Sequence, residues 1–227
     1  DMSNGGLANQ WAIGQTDEAT HMNQALFISN DGGQTNAYTL GQASSVFAWV
    51  NLTLEPGLYD FSYDWKYKGS YNDYMRVALV PESMATTASS SAVSEWSSYN
   101  IPGGAIALDS SRALYDQTTW SSKSNSFELT EGGNYKLVFY WRNGTSTYYD
   151  YNPPAAVDNI RLYYNNEPIG LTAYGDRQHG WVETDQGEYY YGDTATLVAM
   201  AGDGYIFSHW STGETTEVTE EATEETT

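Results

Sequence analysis

Two long runs on either side of Glu55-Pro56-Gly57 alternate their apolar residues with a period of two. Val46, Ala48, Val50, Leu52 and Leu54 share one face of the first run. Tyr59, Phe61, Tyr63, Trp65 and Tyr67 share one face of the second. That period belongs to extended strands, whose side chains point alternately to opposite faces. The Pro-Gly pair between the runs supplies a turn. A strand with one apolar face must bury it against another layer, so the pair points to a β-sandwich.

The same signal recurs along the chain. Ala25 to Ser29 is a short apolar run that ends at Asn30-Asp31-Gly32-Gly33, a turn sequence. Met75 to Val80 reads as a central strand. Strand signals return at Ser124 to Leu129, Tyr135 to Trp141 and Ala155 to Tyr164, with Glu131-Gly132-Gly133 as a turn. Helical periodicity is almost absent. Residues 83–126 are irregular and rich in Ser, Thr and Gly. A stretch this long needs a reason: it packs across one face of the sandwich or holds a short helix near Leu108 to Tyr115. Seven or eight strands joined by hairpin turns and a few long loops predict an all-β fold, an antiparallel β-sandwich of the jelly-roll type.

Asn165 to Pro168 reads as a linker. Residues 169–213 then form a small C-terminal β domain, centred on Tyr191 to Met200 and on Gly202 to Trp210, with Asp203-Gly204 as a tight turn. Residues 214–227 hold six Glu and six Thr and form an acidic tail. A strand around Thr216 to Thr219 is expected only if it pairs with the preceding hairpin. The first domain therefore spans 1–164.

Composition narrows the partners. With 9 basic against 29 acidic residues, the net charge is −20. Nucleic acid is excluded as a partner, since phosphate contacts need clustered Lys and Arg. Anionic membrane surfaces are disfavoured for the same reason. No apolar run nears the ~18 residues that span a bilayer, so no membrane insertion is expected in this segment. There is no Cys, hence no disulfide framework and no thiolate metal site. The richness in Tyr, Asn, Ser, Thr and Gly suits an exported segment whose leader has been removed.

Catalytic signatures are missing. The three His (His21, His179, His209) are scattered, and neither a G-x-S-x-G elbow nor a phosphate-binding loop is present. No Glu sits in a motif that singles it out for glycoside hydrolysis. The chain is read as a non-enzyme.

Four strings occur in order: Leu26 to Gly33, Tyr59 to Trp65, Asp73 to Val77 and Ala156 to Ile160. Together, over about residues 7–164, they resemble the cleaved-adhesin (choice-of-anchor J) group of bacterial jelly rolls, relatives of MAM domains and carbohydrate-binding modules. Tyr191 to Thr194 through Gly204 to Ser211 resembles part of the divergent internalin-B-type repeat. The resemblance implies a non-catalytic adhesion module, secreted or on the bacterial cell surface. It implies contact with glycan or a host or extracellular protein surface, within a longer multi-domain chain. Two other classes stay open: a structural stalk protein with no small ligand, and a diverged glycoside hydrolase, which two facing carboxylates in a groove would favour.

Two sites are expected. Asp158 interrupts the apolar run Ala156, Val157, Ile160, Leu162, and a carboxylate there is costly unless neutralised. By resemblance this position holds a structural calcium. A hard cation wants six to eight oxygens, and Asn30 and Asp31 of the early turn are the candidate co-ligands. The alternative is a metal-free Asp158 that accepts hydrogen bonds. The second site is aromatic. Trp49, Phe61, Tyr63, Phe127 and Phe139 read as core, whereas Tyr67, Tyr71, Tyr74, Trp141, Tyr148, Tyr149 and Tyr151 lie near loops. Trp141, Arg142, Asn143, Tyr148, Tyr149, Tyr151 and Tyr71 are the candidate ligand-binding set. Rings stack on the C–H faces of sugars, and Arg and Asn add donors and acceptors.

Overall fold

The computed structural model describes residues 1–15, 24–70, 72–147, 152–175, 177–185, 187–211 and 218–221. It contains three β-sheets, and no helix occurs among the described residues. Two compact units are present: Asp1–Glu55 with Tyr59–Tyr163, and Pro56–Leu58 with Tyr164–Thr227.

The larger unit is an antiparallel β-sandwich. Its first sheet runs β1(Met2–Ser3), β4(Ser44–Leu54), β9(Gly133–Asn143), β6(Tyr74–Pro81) and β7(Ile106–Ala107) in spatial order. Its second runs β2(Gln10–Gly14), β3(Ala25–Ser29), β10(Ala156–Asn165), β5(Gly57–Tyr67) and β8(Gln117–Leu129). The period-two runs become β4 and β5, and they lie in opposite sheets. On the inner side of the first sheet, Val46 pairs with Trp141, Ala48 with Phe139 and Met75 with Trp141 again. Across from them stand Trp11, Ile28, Tyr59, Phe61, Tyr63, Trp65 and Tyr67, all in one buried cluster. Ring pairs such as Tyr63–Phe139, edge-on at 6.2 Å, join the two layers.

β6 is buried on both faces, which suits its apolar sequence, interrupted by the charge of Arg76. The outer face of its sheet carries Phe47, Tyr74, Ala78, Val80, Val138 and Tyr140, a second buried cluster closed by Trp96. Trp96 comes from the long irregular segment, which therefore packs across this face. Ser45 and Ser89 exchange backbone hydrogen bonds at 2.8 and 3.0 Å, and Tyr74 Oη donates to the Trp96 carbonyl at 2.9 Å. No helix forms near Leu108 to Tyr115. Instead Leu114 bridges back to Met75, and Ser110 and Ser111 adopt positive φ.

β8 starts at Gln117, seven residues before the apolar alternation becomes visible. Its first half is Ser- and Thr-rich and half-open on both sides, so it lacks the hydrophobic rhythm that announces a strand. At the early turn, Gly32 and Gly33 take φ of +77° and +91°, a region glycine enters freely.

In the smaller unit, β11(Gly180–Thr184), β12(Thr194–Ala201) and β13(Val218–Glu221) form one antiparallel sheet. β13 pairs with β12, within the tail composition, through Thr194↔Glu221 to Leu197↔Val218. Residues 205–211 follow the Asp203-Gly204 turn without forming a strand.

Candidate functional site

Of the described members of the expected ligand-binding set, Trp141 and Asn143 are buried. Trp141 is fully buried, edge-on to Tyr38 at 5.4 Å and 6.4 Å from Tyr67, and it presents no ring face to a ligand. Tyr67 and Tyr74 are core residues too. The reason is parity: Trp141 lies two and four residues beyond Phe139 and Leu137 on β9, so it points the same way into the sandwich. Asn143 is also buried. It accepts from Asn9 Nδ2 at 3.2 Å and donates to the Gln42 carbonyl at 3.0 Å, bracing the 39–42 segment. Arg142 is half-buried at the end of β9. Tyr71, Tyr148, Tyr149 and Tyr151 lie outside the described residues.

The expected calcium ligands make separate contacts. Asp31 spends its carboxylate on its own turn. Oδ1 accepts from Ser29 Oγ at 2.6 Å and from the Gln34 and Thr35 amides at 3.0 Å, and Oδ2 accepts from Thr35 Oγ1 at 2.7 Å. These bonds, the Ser29 hydroxyl foremost, hold its pKa well below the ordinary aspartate range. Asn30 Nδ2 donates to Thr39 Oγ1 at 3.1 Å. Among the described residues no three His, Asp or Glu side chains gather around a cation position. Asp158 alone keeps a feature that suits a cation. Its Oδ1 accepts from the Asn159 amide at 2.7 Å, while its buried Oδ2 has no hydrogen-bond partner.

Chemistry gathers elsewhere, on the outer face of the second sheet. At its β5–β8 side the Asp and Ser side chains stay exposed or half-buried. Alternation on β5 sends Asp60, Ser62, Asp64 and Lys66 outward, and on β8 it sends Trp120, Ser122, Ser124 and Ser126 outward. Cross-strand pairs link them. Ser126 Oγ donates to Asp60 Oδ1 at 2.6 Å, Ser122 Oγ donates to Asp64 Oδ1, and Lys66 Nζ sits 5.3 Å from the Trp120 ring centre. From β10, Asn159 Nδ2 donates to Asp64 Oδ2 at 2.6 Å. Asn159 reaches that position at a positive φ of 49°, a bulge-like kink next to Asp158.

The face has two ends. Near Trp120 it is apolar, with Ala12, Ala25, Phe27 and Ala156 packed together. At the other end a groove of about 320 Å³ is lined by Asp60, Ser62, Ser124, Ser126 and the exposed Tyr163. Of the outward β8 residues, Ser124 and Ser126 fall in the expected strand Ser124 to Leu129, whereas Trp120 and Ser122 fall in the stretch expected to be irregular. The alternation of β5 was the signal for the acids and the strand pattern of Ser124 to Leu129 for two of the serines; for Ser122 there was none.

Residues 171–227 match the model of the divergent InlB B-repeat domain. That match lies within the smaller unit. No curated protein matches the chain. Among solved structures, the chain is similar to TmCBM61 in complex with beta-1,4-galactotriose, at 9% identity and TM-score 0.40, over 73% of this chain and 88% of that one. It is similar to the adhesin domain of Epf from Streptococcus pyogenes, at 14% identity and TM-score 0.40, over 96% and 74%. CBM35 from Cellvibrio japonicus Abf62 aligns at 14% identity and TM-score 0.26, over 73% and 97%.

Proposed function

We propose that the sandwich is a non-catalytic binding module that holds a neutral glycan in the groove between Tyr163 and the Asp60 ladder. The observation that carries this reading is an exposed phenol ring beside a floor of hydroxyls and one carboxylate. A sugar offers C–H faces to such a ring and hydroxyls to such a floor. Asp60 has more acceptor capacity than the single Ser126 hydroxyl uses. The ladder fixes these acceptors before any ligand arrives, which lowers the ordering cost of binding.

The same carboxylates argue for binding rather than cleavage. Asp60 and Asp64 are four residues apart on one extended strand, about 13 Å by strand rise. Two-carboxylate glycoside hydrolysis works at ~5–9.5 Å. A calcium ion at Asp158 belongs to this proposal as a stiffening element beside the ladder, supported by the unpartnered Oδ2. The setting is extracellular or on a cell surface, in keeping with a Cys-free, acidic, Tyr- and Thr-rich chain.

The test is a glycan array probed with the 227-residue chain in millimolar calcium, followed by calorimetry on any hit. Tyr163→Ala and Asp60→Asn should each weaken binding about tenfold, near 1.4 kcal/mol. Both side chains are exposed, so loss of binding will not reflect unfolding. A blank array, or a hit that neither variant weakens, removes the glycan reading and shifts the role to protein adhesion or to a structural stalk.

A further inference from the structure

The smaller unit carries a feature that the glycan reading does not use. A groove of about 690 Å³ is lined by β11, β12 and the irregular segments 171–175 and 206–211. Its surface is aromatic and aliphatic: Tyr174, Trp181, Met200, Ile206, Phe207 and Trp210 all line it. Tyr174 and Ile206 are each 91% exposed, an unusual state for side chains of this size when neighbours could cover them. Phe207 and Trp210 lie 5.1 Å apart and His179 packs edge-on to Tyr205 at 4.5 Å, so the walls are braced by ring contacts.

Charge says what fits there. The described lining contains no Asp, Glu, Lys or Arg. The segment that carries it is strongly one-signed in sequence: residues 171–227 hold twelve acidic side chains against one basic, Arg177, a formal charge of −11, and among its described side chains Glu183, Asp185, Glu188, Asp193 and Asp203 stand against Arg177. A neutral apolar strip within such a field selects an occupant with apolar anchors and flanking positive charge. A second copy of this unit would match the apolar strip but bring another −11 close to the first, and like charges resist that approach. A purely cationic partner would gain from the field but leave the aromatic strip in water.

We infer that this groove binds a cationic amphipathic peptide segment, in which apolar side chains fill the strip while Lys or Arg meets the acidic side chains of this unit. The partner is a protein segment, distinct from the sugar proposed for the sandwich, and the two sites lie in different units.

The test uses the full 227-residue chain and a fluorophore-labelled synthetic peptide alternating Leu or Trp with Lys. Two controls are a twin with Glu in place of Lys and a Lys-Ser peptide without apolar anchors. Anisotropy should show saturable binding of the first peptide only, weakening as salt screens the field. The double variant Ile206→Ser/Tyr174→Ser should weaken it at least about tenfold, since both side chains bury apolar area only in the complex. Because both are almost fully exposed, an unchanged melting curve confirms that the variant is folded. No binding of the Leu/Trp-Lys peptide, equal binding of either control, or a double variant that binds as wild type overturns the inference. So does sedimentation showing that the chain dimerises through this groove, a dimerisation that the double variant abolishes.

Discussion

Arg76 Nε donates to Asp109 Oδ2 at 2.5 Å, with both side chains out of water. Arg76 Nη2 reaches Asp109 Oδ1 at 3.2 Å, and Nη1 donates to the carbonyls of Ser97 and Asn100 at 2.6 and 2.9 Å. The Val77 amide adds a bond to Asp109 Oδ2 at 3.2 Å. One guanidinium thus ties the central strand β6 to three points of the segment that covers it. Removing one partner of a buried pair strands the other charge.

Arg76→Met should therefore destabilise the protein by about 3–5 kcal/mol. The double variant Arg76→Met/Asp109→Leu should recover much of that loss, because no charge is left buried. Chemical denaturation of the two single variants and the double variant measures the coupling. Strictly additive losses would show that the pair does not act as a unit.

Trp96 closes the outer cluster, 5.3 Å from the Tyr140 ring and 5.8 Å from that of Phe47. Trp96→Ala should cost about 3–5 kcal/mol, a fall in Tm of roughly 10 °C for a chain of this size. Protease cleavage should move to residues 83–105, since the backbone there loses its anchor while the sheets keep theirs. Cleavage spread evenly over the sandwich would mean that the segment and the sheets unfold together.

Asp31 makes the early turn sensitive to acid. Its folded pKa lies below its unfolded value, through the Ser29 hydroxyl first and Thr35 next. Its contribution is thus fully present above the ordinary aspartate pKa of ~3.9 and fades as pH falls below that toward the depressed folded value. Asp31→Asn should lower Tm at pH 7, with the gap to wild type narrowing below about pH 3. A gap of constant size across that range would show that the turn is held by something other than the ionised carboxylate.

Calcium at Asp158 predicts a linkage effect. Millimolar calcium should raise the Tm of the wild-type chain, and Asp158→Ala should cancel the increase. At free calcium about 100 times its dissociation constant, the gain would be ~2.7 kcal/mol. Melting curves that ignore calcium in both proteins would leave Asp158 as a metal-free residue of the bulge.

The period-two runs determined the layered β-fold by themselves, because alternation is a local property of an extended backbone and burial follows from it. Phe61, Tyr63, Phe127 and Phe139 were legible as core for that reason, and so was the turn at Asn30 to Gly33. What alternation cannot convey is depth and cover. Trp141 sits at a strand end beside polar loop sequence; parity with Phe139 aims it inward, and the packing of Tyr38 and Tyr67 against it decides that this end of the sandwich is covered. The first half of β8, from Gln117 to Lys123, carries no hydrophobic rhythm, and its place beside β5 belongs to the folded sheet. The long Ser/Gly-rich segment has no periodicity of its own. Its path is set by Trp96 and by the Arg76–Asp109 bond, whose two residues lie thirty-three positions apart. Contacts of that sequence separation are properties of the folded chain, and they decided which sheet face this segment covers.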